Sequence, residues 1–215
     1  KNKNKMNDTI NFTIYFVRHG KVTGEPSIYG STDVDIEPIN EVPVKEFIEK
    51  YKIDSHFKIV SSPLLRCRKT TAVFNRFINY TGEIEYIPEL KELHFGELDG
   101  LPFSKYTTEQ RELLEKIARH PSRARIREAE TLREFHKRVK GVLKKLIDRH
   151  EDLVVFSHNG VIKTIFAELM KYGLNKDQLW LNLEFNYLAV LKLDAVYDTL
   201  SRTVDYKISL LPSVA

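Results

Sequence analysis

Three short segments hold residue types that could bind and move a phosphoryl group. They are Arg18-His19-Gly20, Ser61-Ser62 with Arg66 shortly after, and Ser157-His158-Asn159-Gly160. A phosphoryl group spreads negative charge over several oxygens, so its transfer is helped mainly by positioning and electrostatics. An arginine offers a planar fork of donors that matches two phosphate oxygens and stays charged. A neutral imidazole is a capable nucleophile near pH 7. A second imidazole, if protonated, can donate to an oxygen of the group in transit. Gly20 and Gly160 would let backbone amides approach the anion closely. A helix starting near Asn159 would aim free N–H groups and a positive dipole end at the same place. The leaving oxygen then needs a proton. The segment Glu89 to Gly100 supplies carboxylates for that, Glu89, Glu92 and Glu97 among them, to act as general acid and, afterwards, general base.

These segments matter only if the fold brings them together, and the sequence pattern says that it does. Phe12 to Val17 is rich in β-branched and aromatic residues and predicts a strand. Phe57 to Val60 and Leu153 to Phe156 are short apolar runs of the kind found in buried strands, and Ile84 to Ile87 is a weaker one. Helices are predicted over Val44 to Tyr51, from Ser62-Pro63 onward (Ser as N-cap, Pro at the first helical position), over Thr107 to His120, and from Leu132 to Ile147. Val161 to Met170 predicts a further helix, closed by Gly173. Tyr187 to Leu193 and Val204 to Ser209 add two strands, readable as a hairpin.

Alternating strands and helices predict one α/β domain over residues 12–215, a three-layer α/β/α sandwich with a largely parallel sheet. A short helical cap is inserted at about 101–128, and residues 1–11 form a disordered tail. In such sheets ligands bind beyond the carboxyl ends of the strands. Each of the three segments directly follows a predicted strand.

The motifs, in order, resemble the histidine phosphatase superfamily, also called the phosphoglycerate-mutase-like family. The likeness lies in Val17-Arg18-His19-Gly20, Ser62-Pro63-Leu64-Leu65-Arg66 with Thr70-Thr71-Ala72, Glu92 with Phe95-Gly96 and Gly100, and Ser157-His158-Asn159-Gly160. It runs from residue 12 to about residue 172. It implies His19 as the phosphohistidine nucleophile, Arg18, Arg66 and His158 as the phosphate pocket, and Glu92 as proton donor. Asn159 joins the phosphate-binding set. No metal is needed for this chemistry, no paired aspartates or His/Asp clusters suggest a dinuclear site, and no cofactor is expected. The chain departs from the family pattern at Lys21, where an acid or Gln often follows the motif, and at Glu25, where many members carry Asn. Ser27 to Val34 looks like the loop of α-ribazole-phosphatase-like members.

The expected activity is metal-independent hydrolysis of a small phosphorylated metabolite through a phosphohistidine. A phosphoglycerate mutase is the alternative, against which the short cap and Glu25 count. A non-catalytic module that recognises a phosphorylated partner is a third reading, though binding alone does not need two imidazoles and a proton donor.

The remaining composition narrows the partners. The chain has 215 residues, 42% hydrophobic and 30% charged, with a formal net charge of +4. No basic stripe with interleaved aromatics argues for nucleic acid. No apolar run approaches the roughly 20 residues that cross a bilayer. Cys67 is the single cysteine, which excludes an internal disulfide and fits a reducing, cytoplasmic setting. It lacks the phosphate loop of a cysteine phosphatase. The segment Lys1 to Asn11 does not read as a secretory signal and is taken as a tail, partly a processing remnant. No pattern sets an oligomeric state. Lys21 and the charged run Arg119 to Arg127 read as solvated surface, the arginines with a minority reading as closing over an anionic substrate. His56, His120, His136 and His150 are assigned no role in polar surroundings, and Trp180 reads as core.

Overall fold

The computed structural model describes residues 9–123, 125–171 and 181–215. A six-stranded sheet runs through it in the order β3-β2-β4-β1-β5-β6. The strands are β1 (Thr9–Arg18), β2 (Lys58–Ser61), β3 (Glu85–Tyr86), β4 (Leu153–Ser157), β5 (Val190–Asp198) and β6 (Thr203–Leu211). β3, β2, β4 and β1 are parallel, whereas β5 and β6 add on antiparallel. The sheet is therefore mixed, with a parallel half that carries the predicted motifs.

Period-two alternation sends the strand residues to two cores. Ile14, Phe16, Leu153 and Val155 face α4 (Leu132–Ile147) and α5 (Asn159–Leu169). Tyr15, Val17, Val154 and Phe156 face α1 (Glu41–Tyr51) and α2 (Leu65–Ile78). These are the three expected layers. β4 is buried along its whole length, as its unbroken apolar run requires.

Several boundaries differ from expectation. β1 starts at Thr9, so Thr9–Asn11 belong to the sheet, not to a tail. They pair with Val196–Asp198 of the long hairpin strand β5. The second helix starts at Leu65 with Leu64 as N-cap, not at Ser62. Ser62 still continues the sheet through its N–H to Phe156 O (2.9 Å). β5 begins at Val190, leaving Tyr187 and Leu188 in a turn beside the first motif. Gly173 and Trp180 lie outside the described residues.

In the cap region, α3 (Thr108–Arg119) is held at its start by a capping box of Thr107 and Gln110, and none of its residues is buried. α4 opens with the same device, Thr131 with Glu134. His136 on α4 is buried, contrary to the polar surroundings expected for it.

Candidate active site

The sheet register brings the motifs together. Arg18 at the end of β1 sits opposite Ser157 at the end of β4, and Ser61 at the end of β2 sits opposite Phe156. The chain leaves the sheet at adjacent points, with His19 N–H bonded to Ser157 O (3.1 Å). The imidazoles of His19 and His158 lie 5.2 Å apart, centre to centre.

His19 is buried, and its tautomer follows from the hydrogen bond of a ring nitrogen. Nδ1 lies 2.8 Å from the backbone oxygen of Gly20. A carbonyl only accepts, so Nδ1 carries the hydrogen and Nε2 keeps its lone pair. Burial, then the charge of Arg66, push the His19 pKa well below its ordinary 6.5. The Gly20 contact opposes this and Arg18 adds to it. The ring is therefore held neutral with an unprotonated Nε2. Gly20 is fixed from the other side by its N–H to Thr70 Oγ1 (2.9 Å).

Arg18 lies with its guanidinium 4.1 Å from the ring centre of Tyr187 and donates to Phe185 O. Its Nε is buried with no hydrogen-bond partner among the described residues. Sequence reasoning missed Tyr187, which also packs on His19 at 5.7 Å. Its place in a turn gave no local signal.

Arg66 is 1% exposed. A buried guanidinium must place its N–H groups on acceptors, and here they are within the protein. Nη1 donates to Thr32 O (2.9 Å), Nη2 to Gly30 O (2.6 Å), and Nε to His158 Nδ1 (3.1 Å). The fork expected on phosphate is thus occupied by the loop 29–32, while its charge still acts on both histidines.

His158 accepts at Nδ1 from Arg66, so its hydrogen is on Nε2, which lies 2.8 Å from Ser62 Oγ. Burial, Arg66 and His19, in that order, push its pKa well below 6.5. The protonated imidazole considered from the sequence is not the form this environment favours. Cys67 packs against the same ring, and burial pushes its thiol up to about 12, which leaves it inert.

Glu92 reaches the start of α5. Its Oε2 accepts from Gly160 N (2.9 Å) and its Oε1 from Leu93 N (2.9 Å). The amide expected to face an anion at that helix start is therefore taken by Glu92. Asn159 Oδ1 accepts from Phe185 N (3.0 Å) and ties the helix start to the segment that holds Arg18. Of the rival carboxylates, Glu89 lies 3.8 Å from Lys145 and Glu97 is exposed. Lys21 pairs with Glu37 at 2.8 Å, as a solvated loop charge would.

Two further residues hold this site, and neither was singled out from the sequence. Arg138 on α4 donates to the carbonyls of Glu89 (2.7 Å) and Lys91 (2.9 Å) and pairs with Glu130 (2.6 Å), fixing the Glu92 loop to the end of the cap. The Asp99 carboxylate accepts from the amides of Gly30 (3.1 Å), Ser31 (2.8 Å), Thr32 (3.0 Å) and Phe95 (3.1 Å). Arg66 holds the carbonyls of the loop whose amides Asp99 holds.

The family model for the histidine phosphatase superfamily (branch 1) matches residues 14–200. The chain belongs to this superfamily. It is an enzyme of the histidine phosphatase type. It is 27% identical over 174 residues to a Hydrogenobacter thermophilus protein with the provisional name phosphoserine phosphatase 2, covering 78% of this chain and 82% of that one. It is 26% identical over 132 residues to the probable phosphoglycerate mutase GpmB of Photorhabdus laumondii, 60% of each chain. The crystal structure of the α-ribazole phosphatase from Shigella flexneri superposes with a TM-score of 0.71 at 18% identity, covering 95% of this chain and 98% of that one. Among the described residues no helix is long and apolar enough to cross a membrane.

Proposed function

We propose that the chain hydrolyses a small phosphate monoester through a phosphohistidine on His19, without a metal. One observation carries the reading: a buried imidazole whose Nδ1–H is tied to Gly20 O, leaving Nε2 as a lone pair beside two guanidiniums. In the first step His19 Nε2 forms a bond to phosphorus as the bond from phosphorus to the substrate oxygen breaks. The departing oxygen takes a proton from Glu92. In the second step water attacks the phosphohistidine, its proton passes to the Glu92 carboxylate, and phosphate leaves with Nε2 restored.

Arg18, whose guanidinium lies over the Tyr187 ring that packs on His19, binds the phosphoryl oxygens directly. Arg66 supplies charge from behind and holds His158 in place. Asn159 completes the phosphate-binding set by fixing the α5 start. All charge stabilisation comes from these side chains. Among the described residues no group of three or more His, Cys, Asp or Glu forms a metal-binding cluster.

Phosphate release from p-nitrophenyl phosphate in the presence of chelator, lost in His19→Ala, tests the reading. Chelator-sensitive turnover, or turnover retained in His19→Ala, overturns it. The likeness to GpmB favours a mutase as the second reading. Strong stimulation by a bisphosphorylated primer with little net phosphate release would decide for it.

A further inference from the structure

Away from the transfer site, the cap and α4 enclose a cleft of about 680 Å³. Arg125 lines it from the cap, and Arg133, His136, Lys137 and Lys140 line it from α4. None of Arg18, His19, Arg66, Glu92 or His158 does so. Arg133, Lys137 and Lys140 stand four and three residues apart, which places them on one helical stripe. The stripe spans about 10 Å at the α-helical rise.

The charge of this cleft is only partly answered within the protein. Lys140 pairs with Glu168. Arg125 donates to Ser122 O (3.4 Å) and acts on Glu134, whose carboxylate is engaged by Thr131. Arg133 and Lys137 are exposed, and among the described residues neither has a carboxylate within 4 Å. Like charges kept one turn apart on a helix oppose its stability. Strung along a concave wall, they form a row of cations matched to a row of anions.

We propose that this cleft is a second binding site, for a linear oligophosphate. Arg133 and Arg125 each present a fork to a phosphate group, and Lys137 and Lys140 act as point charges along the chain. One orthophosphate is too short to meet a stripe of this length, whereas three linked phosphates reach from one end to the other. The site is independent of the phosphoryl-transfer reading, because it shares no residue with it.

Titration calorimetry with sodium tripolyphosphate tests the proposal, using the wild type, Arg133→Ser/Lys137→Ser and Arg18→Ala. The two α4 side chains are exposed, and matching thermal midpoints check that the double variant is folded. One tripolyphosphate should bind per wild-type chain, more weakly as salt rises. The double variant should lose at least tenfold in affinity while hydrolysing p-nitrophenyl phosphate as the wild type does. Arg18→Ala should bind as the wild type does, which places the ligand outside the transfer pocket. No binding to the wild type, unchanged affinity in the double variant, or loss in Arg18→Ala would overturn the proposal.

Discussion

Replacing Asp99 by alanine should uncouple the Arg66 pocket from its support. The carboxylate accepts four backbone amides, from Gly30, Ser31, Thr32 and Phe95, together with the Ser31 hydroxyl and a His94 ring contact at 3.0 Å. Its side chain is 4% exposed. Each amide left without an acceptor costs ~1–3 kcal/mol when buried. The loop lies at the surface, so water can replace part of this, and the low end of that range applies. Four amides then give a loss of about 3–4 kcal/mol. For a chain of this length that corresponds to a fall in Tm of roughly 6–16 °C. Asp99→Asn keeps the shape but not the charge, and should lose about half as much.

Acid pH separates this mechanism from a simple packing defect. Burial would raise the Asp99 pKa, but the hydrogen bonds from Thr32, Ser31 and Phe95 outweigh it and hold the group well below the usual carboxylate range. Its contribution is present above the unfolded value of 3.8 and is lost as pH falls through the depressed folded value. Urea unfolding of wild type and Asp99→Asn should therefore show a gap that is constant from pH 5 to 7 and narrows below about pH 3.8. kcat/KM should fall with the loop, because Arg66 Nη1 and Nη2 lose fixed acceptors at Thr32 and Gly30. A stability loss under 0.5 kcal/mol, on the order of an ordinary surface change, would refute the reasoning.

Three other outcomes follow from the same contacts. His19, His158 and His136 are all buried with pKa values below 6.5, His136 down to about 4, so the folded chain binds fewer protons than the unfolded one as pH drops below 6.5. Stability should fall between pH 7 and 5.5, less an opposing contribution from His56, whose pKa its bond to Asp54 raises; urea midpoints read this, and a flat profile there would contradict the burial argument. Arg138→Met should lower kcat by about tenfold or more with a small change in KM, since it releases the Glu92 loop and strands Glu130; steady-state kinetics reads this, and unchanged kcat would show the loop holds itself. Gly30→Ala would set a Cβ 2.1 Å from Leu93 O and 2.5 Å from Asp99 Oδ2, so the loop must move. A thermal melt should show a loss of at least ~2 kcal/mol, and a wild-type melt would mean the loop shifts freely.

The sequence made some of this architecture readable and hid the rest for physical reasons. Strand composition located β1, β2 and β4, and the parallel register between them is enough to bring Arg18, Ser62 and Ser157 to one edge. Hydrophobic spacing located α4 and the start of α5. The start of β1 was misjudged because Thr9 and Asn11 are polar and all of Thr9–Asn11 is exposed, and pairing with β5 places them in the sheet. Ser62 looked like a helix cap, but its amide bonds to Phe156 and its hydroxyl meets His158. The types and positions of Arg66 and Glu92 were legible, but their partners were not. Thr32, Gly30 and Gly160 are dozens of residues away, and the contacts are to backbone atoms that leave no side-chain pattern. Asp99 and Arg138 escaped notice for the same reason.

The most direct test of the central claim is a quench of the enzyme during turnover, followed by mass spectrometry of the peptide that contains His19. One added phosphoryl group is expected on His19, stable in alkali, lost in acid, and missing from His19→Ala. Turnover with no such adduct, or an adduct on another residue, would contradict it.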